Sequence, residues 1–197
     1  MRRFAGQFDH VVGFDRQAPA PAPPGCVAVS VDITSEKSVM DGLRTIRAHH
    51  GAHVASVIHL AAYYDFLGEP SPKYDEITVL GTARLLRGLR ELHFTVEQFL
   101  FSSTMLVHGP VDPGQLITED SPLAPTWAYP ESKVRTEAVI HAERGDMPAV
   151  LLRIAGVYDD HCHSIPIAHP PQSSAPRQLT TAVYPANTAH GTRFRTV

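Results

Sequence analysis

Residues 96–104, VEQFLFSST, carry the reading that decides the fold. An apolar and aromatic run ends in three hydroxyls, Ser102, Ser103 and Thr104. That is the pattern of a buried strand whose end meets a ligand or caps the next element. Upstream, YDEITVLGTARLLRGLREL (74–92) has the length and apolar spacing of a packed helix. Downstream, AYPESKVRTEAVI (128–140) opens another helix, with Pro130 in the first turn, where an amide lacks an intrahelical partner anyway. PAVLLRIAGVY (148–158) is a further apolar strand.

The same alternation continues toward the N-terminus. VASVIHLAA (54–62) reads as a buried strand running into small residues. ITSEKSVMDGLRTIRAHHG (33–51) reads as a helix with Thr34 or Ser35 as N-cap, Glu36 in its first turn and Gly51 as its stop. CVAVSV (26–31) is a short strand ending at Asp32, and RQAPAPAPPG (16–25) is a linker too rich in proline for helix or central strand. HVVGF (10–14) is a strand ending at Asp15, preceded by what reads as the tail of a helix. Short apolar strands alternating with amphipathic helices predict an α/β fold, a doubly wound parallel sheet covered on both faces. From Ser164 onward the chain is proline-rich and aperiodic, with at most a short strand near LTTAVY (179–184). The expected division is a sheet domain over 1–163 and a rudimentary or disordered remnant over 164–197.

Composition narrows the function. The 197 residues carry a formal charge of −3, which offers no general attraction to nucleic acid or acidic lipid. The longest apolar runs fall short of a bilayer span, and no apolar segment follows Arg2 and Arg3 as in a leader. Two cysteines, Cys26 and Cys162, argue against a disulfide framework and make a reducing, cytoplasmic setting the expectation. DDHCH (159–163) has metal-binding donors but no second ligand cluster, and His49, His50 and His53 read as a solvated helix end. No metal is expected.

The chemistry sits in two places. Tyr129 and Lys133, four apart on a helix, share a face, and an ammonium near a phenol favours phenolate, drawing the tyrosine toward a pKa useful for proton transfer. Thr104 ends a strand 25 residues earlier, on the edge where parallel sheets bind ligands. Tyr63 and Tyr64 read equally as substrate lining or as surface loop, and Trp127 reads as packing over the entrance.

In their order and spacing, VVGFDR, VDIT, VIHLAA, VLGTARLL, FSSTMLVHG, ITEDSPLAPTWAYPESK and LLRIAGVY resemble the extended short-chain dehydrogenase/reductase family, its NAD-dependent epimerase/dehydratase group. The resemblance spans about Phe8 to Tyr158 and implies a Rossmann-like sheet. It implies NAD as cofactor, with NADP less favoured: Asp15 would take the adenosine ribose hydroxyls, although Arg16 could welcome a 2′-phosphate. Asp32 and Ile33 would flank the adenine, and Leu60, Ala61 and Ala62 would let the backbone approach the cofactor. Thr78, where the family carries Asn, and Ser102 would also border it, as would Ile154 and Ala155 beside the nicotinamide. Thr104 would bond the reacting hydroxyl, Tyr129 would act as general acid/base, and Lys133 would bind the nicotinamide ribose. The substrate is commonly a nucleotide-linked sugar, and a homodimer through paired helices is expected.

The chain departs from the family at His108, where Tyr is usual, and in having no G-x-x-G-x-x-G run. The resemblance therefore implies a sheet lacking its first strand and phosphate cradle, and a shortened substrate lobe. The alternative to an enzyme is a catalytically inactive fragment or binding module of the same family. Complementation by another chain supplying the strand is a third reading.

Overall fold

A computed structural model of the chain describes residues 1, 4–18, 20–65, 68–112 and 114–156. The strand expected near LTTAVY, the DDHCH cluster and the 164–197 remnant lie outside the described residues.

Seven strands and three α-helices alternate among those residues: β1 (Val11–Asp15), β2 (Cys26–Ser30), α1 (Glu36–His50), β3 (His53–Val54), β4 (Val57–His59), α2 (Leu80–Glu91), β5 (Thr95–Val96), β6 (Phe99–Thr104), α3 (Ala128–Glu143) and β7 (Ala149–Ile154). All strand pairs are parallel. The strands form three groups, β1-β2, β3-β5 and β4-β6-β7. The last has β6 at its centre, with Phe101 opposite His59 on one side and Leu151 on the other.

Three readings change. The segment before β1 is a set of turns, not a helix tail: Phe4 N–H bonds Met1 O and Gln7 N–H bonds Phe4 O. VASVIHLAA is two short strands, and VEQFLFSST likewise divides into β5 and β6. The third concerns coverage. Val39, Leu43, Leu86, Leu89 and Ile140 of the helices pack with Phe99 and Phe101 of β6, and Val57 and Leu151 join from the flanking strands. Strand side chains alternate between faces, so Ile58 and Leu152 point the other way, and they are 43% and 39% exposed. Among the described residues, helices cover one face of this sheet rather than both.

Local chemistry explains the helices. Ser35 caps α1, its hydroxyl accepting from Ser38 N at 3.3 Å; Glu36 occupies the positive end and Arg47, His49 and His50 the negative end. Gly51 stops the helix at φ 84°, its N–H bonding Arg47 O. Ser35→Ala is expected to cost about 1 kcal/mol, read as a lower urea midpoint with an unchanged slope. A turn of π-helix, Tyr74–Val79, leads into α2. Gly88 of α2 has no side chain because α1 lies against it: a Cβ there would fall 2.6 Å from Leu43 Cδ1. No helix among the described residues is long and apolar enough to cross a membrane.

Candidate active site

The parallel strands of the central group present their carboxyl ends at one edge, where β6 delivers Ser102, Ser103 and Thr104. Thr104 is buried, and its Oγ1 accepts from Leu106 N at 3.3 Å, capping the short turn Met105–Val107. That bond uses the oxygen as acceptor and leaves the hydroxyl proton to be donated elsewhere.

α3 supplies the other residues. Lys133 is only 2% exposed, and its Nζ donates to the carbonyl of Ser102 at 2.6 Å. The same ammonium lies 4.6 Å from the centroid of the Phe101 ring and 5.7 Å from that of Tyr129. Burial pulls Lys133 down to about 8, partly opposed by the Glu137 carboxylate. The lysine and the tyrosine do share a face, as their spacing requires. However, Lys133 reaches down to β6, and the phenol is not activated. Burial raises the Tyr129 pKa, with Tyr64 and Tyr74 adding to the rise. The expected lowering is therefore reversed in the chain as folded: desolvation raises the phenol, and the Lys133 ammonium lies against the ring face with its bond made to Ser102 O.

Aromatic rings close over that phenol. Tyr64 meets Tyr129 edge-on with centroids 4.7 Å apart, and Trp127 lies 5.5 Å away. Both contacts are within the range of favourable aromatic pairs. Tyr63 instead packs against Tyr74 at 4.9 Å. Its N–H bonds Thr78 Oγ1 at 2.9 Å, so Thr78 is wholly buried and pins the 60–64 loop.

On β1 and β2 the carboxyl ends bring Asp15 opposite Ser30. Asp15 is exposed, its Oδ1 accepting from Gln17 N at 2.8 Å, and Arg16 beside it is exposed too. Asp32 is held below the usual carboxylate range by Thr34, whose hydroxyl and N–H both bond it, with Arg16 and Arg84 adding to the effect. Ile33 packs against Gly81 of α2. At the ends of β4 and β7, Leu60, Ala61, Ile154 and Ala155 are exposed, and Ala62 is half-buried.

The family model for the NAD dependent epimerase/dehydratase family matches residues 1–183. The chain belongs to this family. No curated protein matches it. Among solved structures it is similar to a candidate epimerase of Burkholderia cenocepacia J2315, at 26% identity and a TM-score of 0.63, over 79% of this chain and 48% of that one. It is also similar to MoeE5 solved with UDP-glucose and NAD, at 26% identity and a TM-score of 0.57, over 76% and 46%. A short-chain dehydrogenase/reductase superfamily protein of Agrobacterium tumefaciens with bound NAD gives 28% identity and a TM-score of 0.55, over 73% and 40%. The chain spans about half or less of the length of each.

Two features of this epimerase/dehydratase-family chain escape a reading by motif. The first is His59, at the end of β4 and 4% exposed, whose Nε2 lies 2.8 Å from Thr82 Oγ1. Thr82 spends its own proton on Thr78 O, so His59 is the donor. Burial, reinforced by the Lys133 charge, pushes its pKa down to about 4. Between pH 6.5 and 4 the unfolded chain binds the proton that the folded chain refuses, so stability falls as the solution is acidified through that window. About 3 kcal/mol of stability is expected to disappear there. Urea midpoints followed with pH in the wild type and in His59→Gln check this, and the variant should show a flatter profile.

The second is a buried ion pair. Glu137, 4% exposed, accepts from Arg153 Nη2 at 2.8 Å, from Arg153 Nε at 3.2 Å and from Ser103 Oγ. The signal for it was a charge inside the apolar strand AVLLRI and an acid eight residues after Tyr129.

Proposed function

We propose that this chain carries the reacting part of a nicotinamide-dependent enzyme acting at a secondary carbinol or ketone carbon, with a nucleotide-linked sugar as substrate. The reading is supported above all by the docking of Lys133 onto the strand end that bears Thr104, one helical turn after Tyr129. MoeE5, similar in fold and 26% identical, was solved with UDP-glucose and NAD, which supports the choice of ligands.

The residues fit the two ends of the cofactor. The exposed carboxylate of Asp15 suits ribose hydroxyls, with Asp32 and Ile33 beside the adenine. Leu60, Ala61 and Ala62 present an accessible backbone at the end of β4, and Ser102, Ile154 and Ala155 border the nicotinamide side. Thr78 acts through the loop it pins. With no G-x-x-G-x-x-G run in the sequence, the pyrophosphate has no assigned partners. Bound there, a nicotinamide would supply the hydride donor or acceptor for the substrate carbon.

The chain's own residues do the rest. Thr104 donates its free hydroxyl proton to the substrate oxygen and orients it. Tyr129, held as the neutral phenol by burial, is set to give a proton to a carbonyl oxygen. In the reverse direction it must work as phenolate, which burial disfavours in the chain as folded. Lys133, buried and docked on the Ser102 carbonyl, bonds the ribose. Tyr64 and Trp127 pack around the half-buried Tyr129 ring and steady it. The active form is a homodimer in the cytoplasm.

The test is turnover. The chain is incubated with NAD and a panel of UDP-sugars, and the nicotinamide absorbance and sugar products are followed. A change dependent on one sugar supports the reading. Cofactor binding without turnover of any panel member would leave a non-catalytic binding module of the same family in its place.

A further inference from the structure

Arg153 touches the chain on both sides of the segment that carries Tyr129 and Lys133. Ahead of that segment its Nη1 donates to Glu119 O at 3.1 Å and meets His108 Nε2 at 3.3 Å, while His108 Nδ1 lies 3.2 Å from Pro122 O. Because Arg153 only donates, His108 accepts at Nε2 and must carry its proton on Nδ1, aimed at Pro122 O. Behind the segment, Arg153 forks onto Glu137 through Nε and Nη2. A cleft of about 450 Å³ lined by Met105, His108, Glu119 and Arg153 borders this arrangement on the side of the 117–119 loop.

Glu137 completes a second tie. Tyr129, Lys133 and Glu137 stand at i, i+4 and i+8 on one face of α3. Successive residues of β6 take hold of that face: Ser102 accepts from Lys133 and Ser103 donates to Glu137. The helix is thereby fixed in rotation and in height against the strand end that bears Thr104.

We infer that Glu137 and Arg153 are positioning residues for the Tyr129–Lys133 pair: Arg153 braces the chain before and after the pair, and Glu137 sets both the seat and the charge of Lys133. The inference rests on reading Tyr129 and Lys133 as the reacting pair. Its test uses neither cofactor nor turnover, so the two can fail separately.

The groups that face the Lys133 ammonium are few. His59 on β4 is neutral above about pH 4, Ser102 on β6 gives its carbonyl, Tyr129 and Glu137 lie on the same helix, and Arg153 on β7 is tied to Glu137. Glu137→Gln removes the only carboxylate in this group and leaves the Arg153 charge uncompensated. Both effects disfavour the ammonium.

The chain has three lysines, and Lys37 and Lys73 are exposed, so side-chain carbon resonances of a lysine-labelled chain resolve Lys133. In the wild type burial is expected to bring the Lys133 midpoint down to about 8. In Glu137→Gln the midpoint is expected about one unit lower. Mere loosening of the fold would move it the other way, toward the exposed lysines, and a folded variant whose midpoint stays or rises overturns the charge role. Arg153→Lys keeps the charge but loses the fork, and it reads the brace. Exchange of the Ala124 amide, bonded to Val107 O at 2.9 Å, is expected to speed up about tenfold while α1 amides stay unchanged. Unchanged Ala124 exchange overturns the brace, and this arm decides alone if Glu137→Gln does not fold.

Discussion

Tyr129→Phe is expected to lower turnover by about 10²- to 10⁴-fold, the usual range for loss of a positioned proton donor. The substitution is narrow. The ring stays, so the edge-on contact with Tyr64 at 4.7 Å and the contact with Trp127 at 5.5 Å survive, and only the hydroxyl is lost. Its pKa is raised by burial, so the wild-type residue meets substrate as a phenol over the neutral pH range. The loss should therefore appear in kcat and kcat/KM together, the signature of an interaction made only in the transition state. Binding of reduced cofactor should be unchanged. Steady-state kinetics beside a binding titration separates these outcomes. A loss confined to KM would mean that Tyr129 only lines the site.

Arg153→Met is expected to cost about 3–5 kcal/mol of folding stability, because it leaves a carboxylate buried without its cation. The arginine and glutamate side chains are 20% and 5% exposed, so water offers little replacement. The cost should exceed that of losing one hydrogen bond, since Arg153 also releases Glu119 O and His108. Urea unfolding of Arg153→Met, Glu137→Gln and the double variant gives the pairwise term. The double variant should be more stable than Arg153→Met alone, because the unpaired charge is gone. If the double variant loses the sum of the single costs, the pair contributes no specific coupling.

These two residues differ in how readily the sequence shows them. Tyr129 and Lys133 are legible because a helix fixes which residues share a face, and four residues is one turn. The strand ends are legible for a similar reason: apolar runs stop where the sheet stops, so Asp15, Asp32, Leu60 and Thr104 fall at carboxyl ends. What a spacing leaves open is where a long side chain points. Lys133 has reach enough for either the phenol or the Ser102 carbonyl, and only the packing of α3 on β6 decides for the carbonyl. Likewise the partner of Glu137 lies 16 residues away on β7, and nothing local to the helix announces it. Sheet coverage is less legible than strand position. Strands such as VIH and AVLLRI read as buried on both faces from their composition, whereas Ile58 and Leu152 are substantially exposed among the described residues.

Lys133 also gives the site a signature in alkali. Its folded pKa of about 8 lies below the 10.5 of a free lysine, so between those values the unfolded chain binds the extra proton. Stability should accordingly rise with pH across that window, as the cost of burying the ammonium is relieved. Lys133→Met should remove this rise.

The central claim is that the edge bearing Thr104, Tyr129 and Lys133 holds a nicotinamide ribose. A titration of the purified chain with NADH, followed by nicotinamide fluorescence in parallel for the wild type and Lys133→Met, tests it most directly. The account predicts saturable binding by the wild type that is lost or weakened about tenfold or more in the variant, the loss of a hydrogen bond from a charged group. No saturable binding by the wild type, or equal binding by both chains, would contradict it.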